Sequence, residues 1–259
     1  MIKRTDQPLR ILLSNDDGIH APGLKVLEKI ARTLTDDIWV VAPESEQSGA
    51  AHSLTLGRPL RTRKLGEKTF SVDGTPTDCV MIALNKLLTD RAPDLMLSGV
   101  NHGSNLGEDV TYSGTVAAAM EATLFGIPAI ALSQEISDHT NFSYEPAQHF
   151  APEVIKRLLT QTWSPDVLLN INFPDISLEK IKGVRIVKQG LRNINDSIFE
   201  WKDPRGRPFF WIGATIRDNS PTEIDTDLEA IQEGAISITP LHLDLTHSST
   251  LETLKLAFL

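Results

Sequence analysis

The stretch ILLSNDDGIHAPGLKVLEKIARTL, residues 11–34, decides the fold. It opens on an apolar run, Ile11 to Leu13, passes through the polar loop Ser14 to Gly18, and then changes period. From Pro22 onward Leu24, Leu27, Ile30, Ala31 and Leu34 fall on one face of a helix. Proline suits the first helical turn, where its missing N–H costs nothing. Strand, polar loop and amphipathic helix together form the first unit of an α/β layered fold.

The same alternation repeats outward from this unit. Ile38 to Ala42, Asp94 to Leu97, Ile127 to Leu132 and Val167 to Asn172 are short apolar runs, as strands buried on both faces require. Between them the sequence predicts helices from Thr75, from Thr115 to Leu124, and around Pro152 to Leu159. Thr75-Pro76-Thr77-Asp78 has the form of a capping box, followed by the apolar face Val80, Leu84, Leu87 and Leu88. Ser53 to Val72 suits a β excursion with a basic tip, Arg58, Arg61, Arg63 and Lys64. The expectation is a Rossmann-like, mainly parallel sheet with helices on both faces over residues 1–185.

After residue 175 the pattern loosens. Val184 to Lys188, Phe209 to Ala214 and Ala235 to Ile238 suit strands separated by charged loops. Residues 194–208, with Phe199 and Trp201, suit a hairpin arm that packs on a partner subunit. Leu251, Leu254 and Phe258 repeat at helical spacing and need a cover. Residues 186–259 are thus expected to form a β-rich oligomerisation arm and tail.

At 259 residues, with 41% hydrophobic and 23% charged side chains, the chain fits one large domain with an appendage. The net charge of −9 argues against binding nucleic acid or an anionic membrane. The single cysteine, Cys79, forms no intramolecular disulfide, and no apolar run approaches a membrane span. A soluble, cytoplasmic protein is expected.

In an open parallel sheet, ligands bind at the carboxyl ends of the strands. The loop after the first strand carries Asn15, Asp16 and Asp17. Adjacent carboxylates repel unless a cation sits beside them, so a hard divalent ion explains the pair, and a plain turn is the alternative. The second loop offers Ser48 beside Gly49, and the third offers Asn101 and Asn105 among glycines. Tyr112-Ser113-Gly114-Thr115 leads into a helix whose N-terminal N–H groups suit an anion; N-capping by either hydroxyl needs no ligand. None of the segments 11–24, 41–57 and 98–126 contains a lysine or arginine. A phosphate held there would depend on a divalent cation.

Five ordered motifs carry a resemblance to the survival protein SurE family: residues 11–23, Val41 to Glu44 with Ser48-Gly49, Gly74 to Cys79, Ser98 to Asn105, and Ser113 to Thr115. The resemblance implies a metal-dependent nucleotidase acting on nucleoside monophosphates. It implies one divalent cation, magnesium or manganese, held by Asp16, Asp17, Ser48 and Asn101. Phosphate contacts would come from Asn105 and the Ser113-Gly114-Thr115 turn, beside Asn15, and the subunits would form a dimer or tetramer. The chain departs from the family in having Ser45 and Gln47 where arginine is often found. Two other functions fit the same residues: a phosphatase that forms a phospho-aspartate on Asp16 or Asp17, and a non-catalytic nucleotide- or metal-binding stress protein. His20, His52 and His102 lie close enough in sequence to the loops to assist a leaving group, and the alternative for each is an ordinary loop or core histidine.

Overall fold

The computed structural model describes residues 7–137, 140, 142–191, 193–195, 198–212, 216–218 and 223–258. In chain order the strands are β1 (Arg10–Ser14), β2 (Asp37–Pro43), β3 (Thr62–Lys64), β4 (Thr69–Val72), β5 (Leu95–His102), β6 (Ala129–Gln134), β7 (Val167–Phe173), β8 (Val184–Ile186), β9 (Asn193–Asn195), β10 (Ile198–Lys202), β11 (Pro208–Ile212), β12 (Ile216–Asp218) and β13 (Ile236–His242). The helices are α1 (Pro22–Arg32), α2 (Pro76–Ile82), α3 (Gly114–Leu124), α4 (Glu145–Leu158), α5 (Asp227–Gln232) and α6 (Ser248–Ala257).

β1 is fully buried and lies between β2 and β5, parallel to both, with Leu12 beside Trp39 on one side and Met96 on the other. Its alternation divides the core. Ile11 and Leu13 join Leu24, Leu27 and Ile30 of α1 and Ala147, Ala151 and Ile155 of α4 on one face of the sheet. Leu12 joins Cys79 and Val80 of α2 and Val116, Ala118, Ala119 and Ala122 of α3 on the other. The alanines let α3 lie close to the sheet, a full layer of apolar area removed from water on each side. The sheet runs β3-β4-β2-β1-β5-β6-β7-β13-β8, parallel from β4 through β7. The α/β expectation, helices on both faces of a mainly parallel sheet, holds.

Several boundaries differ from the sequence expectation, each for a physical reason. α4 begins at Glu145, well before Pro152, because Pro146 occupies its first turn and Pro152 sits inside it. An interior proline costs about 3 kcal/mol in an isolated helix; here the packing of Ala147, Ala151, Val154 and Ile155 on the sheet overrides it. β5 continues past Leu97 to His102 by way of a bulge, after which Asn101 pairs with Ser133 of β6. Gly99, at φ +133°, passes so close to β6 that a Cβ would stand 2.3 Å from the Leu132 carbonyl oxygen. Beyond α2, Ala83–Leu87 forms a wider π turn, so Leu84 and Leu87 are only half-buried while Leu88 is buried. The capping box of α2 is present: Asp78 N–H donates to Thr75 Oγ1 at 3.1 Å and Thr75 N–H to Asp78 Oδ2 at 2.9 Å.

The C-terminal region does not separate at residue 186. β13 inserts antiparallel to β7 and parallel to β8, inside the main sheet. In the segment between β8 and β13 the β10–β11 hairpin is a two-stranded ladder apart from the main sheet, while α5 is buried through Leu228, Ala230 and Ile231; residues 213 and 214 of the expected strand Phe209 to Ala214 lie outside the described residues. The base of the segment is held by Asp227, whose carboxylate accepts N–H donors from Gly190 at 2.8 Å and Gly107 at 3.0 Å. α6 carries Leu251 and Leu254 in exposed positions. No helix among the described residues is long and apolar enough to cross a membrane.

Candidate functional site

The parallel strands β1, β2 and β5 end on one edge, which brings the loops after them together. Asn15 Nδ2 donates to the Gly18 carbonyl at 3.0 Å and closes the first loop into a turn, while Asn15 Oδ1 is buried without a hydrogen-bond partner. Asp16, only 5% exposed, accepts the Thr115 hydroxyl on Oδ1. Gly114 makes that approach feasible: a Cβ there would lie 2.7 Å from Asp16 Cβ and 3.1 Å from Oδ2. The N-terminus of α3 thereby abuts the carboxylate, a favourable setting for negative charge.

Asn101 completes this cluster from β5. Its Nδ2 donates to the Gly103 carbonyl at 2.8 Å, which turns Oδ1 inward, 3.3 Å from Thr115 Oγ1. Asp17 lies beside it, accepting the His102 N–H on Oδ2 at 3.4 Å. The second loop is tied in through its backbone. Gln47 N–H donates to the Asp16 carbonyl at 2.8 Å and Ala51 N–H to the Tyr112 carbonyl at 3.1 Å. Ser48 sits on this loop, exposed, with its hydroxyl donating to Glu46 Oε1 at 2.7 Å.

The other expected phosphate contacts line the same edge. Ser113 Oγ accepts the Val116 N–H at 3.0 Å as the cap of α3, keeping its own hydroxyl proton available as a donor. Asn105 is locked from three sides: its N–H donates to Asn172 Oδ1 at 2.8 Å, its side-chain amide to Ser133 Oγ at 2.8 Å, and its carbonyl accepts from Asn170 at 2.8 Å and Asn172 at 3.1 Å. Asn170 and Asn172 are absent from the residues that sequence reasoning singles out. Their signal is two asparagines within the otherwise apolar run Leu168 to Phe173, where a polar group must find a buried partner. His52 pairs instead with Glu121 of α3 at 2.8 Å.

Burial raises Asp16 to about 6; the neighbouring charge of Asp17 adds to the rise, and the Thr115 donors oppose it. Asp17 is raised by burial and by the charge of Glu46, against the His102 N–H. Two carboxyl groups pushed toward protonation, an inward amide oxygen and an orphaned Asn15 oxygen form a hard, oxygen-only donor set that fits a divalent cation. Among the described residues no group of three His, Cys, Asp or Glu side chains gathers for a metal, so amide and hydroxyl oxygens must supply the remaining ligands. An open cleft of about 840 Å³ leads away from Asp17.

Comparison with known proteins agrees with this arrangement. The family model described as survival protein SurE matches residues 11–196. The chain is 56% identical over 250 residues to a protein of Paramagnetospirillum magneticum named 5'-nucleotidase SurE, covering 96% of each chain. It is 55% identical over 252 residues, again 96% of each chain, to one of the same name from Rhodospirillum rubrum. The crystal structure of SurE protein from Aquifex aeolicus superposes with a TM-score of 0.83 at 40% identity, covering 96% of this chain and 99% of that one. The family match over most of the chain, the full-length relatives and the shared fold agree: the chain belongs to the survival protein SurE family.

Proposed function

We propose that the chain is a phosphoric monoester hydrolase, a nucleotidase that releases phosphate from nucleoside 5'-monophosphates in the presence of a divalent cation. Activity on 3'-monophosphates and short polyphosphate would use the same phosphate site. The observation that carries this is Asp16 and Asp17 side by side at the end of β1, with the Asn101 amide oxygen and Asp16 both turned to the Thr115 hydroxyl and the N-terminus of α3 against Asp16. The printed name of the relatives, 5'-nucleotidase, supports the same chemistry.

Asp16, Asp17 and Asn101 would hold the cation, with Ser48 reaching it from the second loop. Bound there, a divalent cation neutralises the phosphate and polarises its phosphoryl bond. The chain's own groups do the rest. The Ser113 hydroxyl, the N–H groups of Gly114 and Thr115, and Asn105 in its asparagine clamp face the charge that grows on the equatorial oxygens. Asp16 is closed in by Thr115, whereas Asp17 opens on the cleft, so the Asp17 carboxylate takes the proton of the attacking water.

The same protein assembles as a homodimer or homotetramer through the β10–β11 hairpin. Phe199 faces Trp211 across the ladder and Trp201 faces Phe209, and all four are exposed around an apolar hollow of about 470 Å³. So many exposed aromatics suit a surface covered by a second copy.

A phosphate-release panel over nucleoside monophosphates, with the cation varied and a chelator as control, tests the activity. Release that needs a cation and disappears in Asp17→Asn is expected. Full release under chelation, or saturable nucleotide binding with no release under any cation, overturns it.

A further inference from the structure

We propose that Asp227, a fully buried carboxylate remote in sequence from every group assigned to the site, is a positioning residue for the phosphate, acting through the loop from Asn105 to Ser113; the assignment rests on the phosphate-site reading. Asn105 and Ser113 are the two ends of this one connection, and Gly107 lies within it. The Gly107 N–H donates to Asp227 Oδ2 at 3.0 Å, and its carbonyl accepts from Gln189 Nε2 at 2.9 Å. Both backbone groups of Gly107 are thus held by side chains from a distant part of the chain. Gly107 adopts the left-handed region at φ +54°, and the asparagine clamp already fixes the Asn105 end. The clasp therefore sets the direction in which the loop leaves toward α3. From Gly107 a 3-10 turn, Gly107–Thr111, carries that direction onward: the Asp109 carbonyl accepts the N–H of Tyr112 and of Ser113, each at 3.0 Å.

The donors around Asp227 explain why a carboxylate stands there. Its Oδ1 accepts the N–H of Gly190 at 2.8 Å and of Leu228 at 2.9 Å, so with Gly107 three backbone donors converge on two oxygens. A carboxylate presents acceptors only, whereas the amide of asparagine turns a donor toward one of these N–H groups and leaves it unpaired in a buried place. The side chain has little room to yield. The Asp227 N–H donates to the Lys188 carbonyl at 3.0 Å, and a Cβ on Gly190 would lie 3.0 Å from Asp227 Oδ1. Leu106, between Asn105 and Gly107, closes the contact from the apolar side, buried with Leu228 and Ile231 of α5 in a cluster of their own. α5 and the residue that opens it thus brace the loop between two phosphate contacts without supplying a group that touches the ligand.

Asp227→Asn and Gln189→Ala test the clasp from its two sides. Gln189 is exposed, so its truncation keeps the test open even where Asp227→Asn fails to fold. Val154→Ala in α4 loosens the core away from the loop and serves as the control. Hydrogen exchange read by mass spectrometry is expected to be faster across residues 106–113 in Asp227→Asn, less so in Gln189→Ala, and unchanged there in Val154→Ala. Inorganic phosphate, titrated in saturating magnesium and followed by phosphorus NMR, should bind about 10-fold more weakly to Asp227→Asn and about 3-fold more weakly to Gln189→Ala. Magnesium affinity, measured alone by calorimetry, should stay within about 2-fold of wild type, because Asp16, Asp17 and Asn101 lie outside the clasp. Wild-type phosphate affinity in the clasp variants, an equal loss in Val154→Ala, or a wild type with no saturable phosphate binding overturns the assignment. Phosphate binding that depends on Asp227 in a protein that releases no phosphate from AMP supports the clasp and overturns the hydrolase.

Discussion

The Thr115 hydroxyl at the start of α3 donates to Asp16 Oδ1 at the end of β1, joining two residues 99 positions apart. A hydrogen bond to a charged group contributes about 1.5–3 kcal/mol. Thr115→Val keeps the shape and removes the donor, so kcat/KM for AMP should fall roughly 10- to 100-fold, and Thr115→Ser should recover most of it. Steady-state kinetics on the three proteins decide this.

Asp16→Asn separates stability from activity. At pH 7 a buried carboxyl raised to about 6 is charged at a cost, and its neighbour Asp17 adds repulsion. The neutral isostere removes both, so the cation-free variant should melt roughly 2–6 °C higher than wild type. The same variant should lose at least 100-fold in phosphate release and most of the rise in Tm that a divalent cation confers. Differential scanning calorimetry with and without cation measures both effects.

Gly114→Ala tests the close approach of α3. The added methyl meets Asp16 Cβ at 2.7 Å, so helix or carboxylate must shift. We expect a loss of about 1–3 kcal/mol in urea unfolding and a fall in kcat larger than that stability change would suggest. A variant with wild-type kcat would show that the helix terminus need not touch Asp16.

Asp37 lies at the opposite end of the sheet from the site. Burial alone would raise its carboxyl, but hydrogen bonds from Lys68 Nζ and Arg10 Nε, both 2.8 Å, hold it below the usual range. A carboxyl lowered by folding contributes stability above its unfolded pKa, and that contribution is lost as pH falls through the lower folded value. Asp37→Asn should therefore cost about 1–2 kcal/mol at pH 6, discounted for the part-exposed Lys68, and this gap should close below about pH 4. Phosphate release should be unaffected. Urea unfolding at several pH values checks the window.

Trp201→Glu combined with Trp211→Glu places two charges on the aromatic face of the β10–β11 hairpin. Light scattering should show monomers in place of a dimer or tetramer, with the melting of the core little changed.

The layered core was legible because its signals are local. Ile11 to Leu13 and the spacing of Leu24, Leu27 and Ile30 specify strand and helix within a few residues, and Thr75 with Asp78 announces a cap. Asp16, Asp17, Asn101 and Thr115 were legible as chemistry in loops, and the parallel sheet brings them to one edge. What escaped depends on distant pairing. The extension of β5 to His102 follows from its ladder with β6, and the early start of α4 from packing that outweighs Pro152. Asn170 and Asn172 gain meaning only when the fold sets Asn105 against them. The return of β13 to the sheet is likewise a long-range pairing with β7, which no window around residue 236 reveals.

That return has a consequence for how the molecule can vary. Before β13 the chain comes back to Lys188, whose N–H donates to the Asp225 carbonyl at 3.2 Å and whose carbonyl accepts the Asp227 N–H at 3.0 Å, so the segment between Lys188 and Asp225 leaves and returns through one narrow neck. Loop-closure entropy grows only with the logarithm of length, about 0.6 kcal/mol for each doubling. The hairpin beyond the neck can therefore lengthen or shorten at little thermodynamic cost to the sheet. Asp227, clasping Gly107 and Gly190, and Gln189, whose side-chain amide donates to the Gly107 carbonyl at 2.9 Å, tie the neck to the loop that carries Asn105. The length of that segment can thus change with little effect on the sheet edge that gathers Asp16, Asn101 and Thr115.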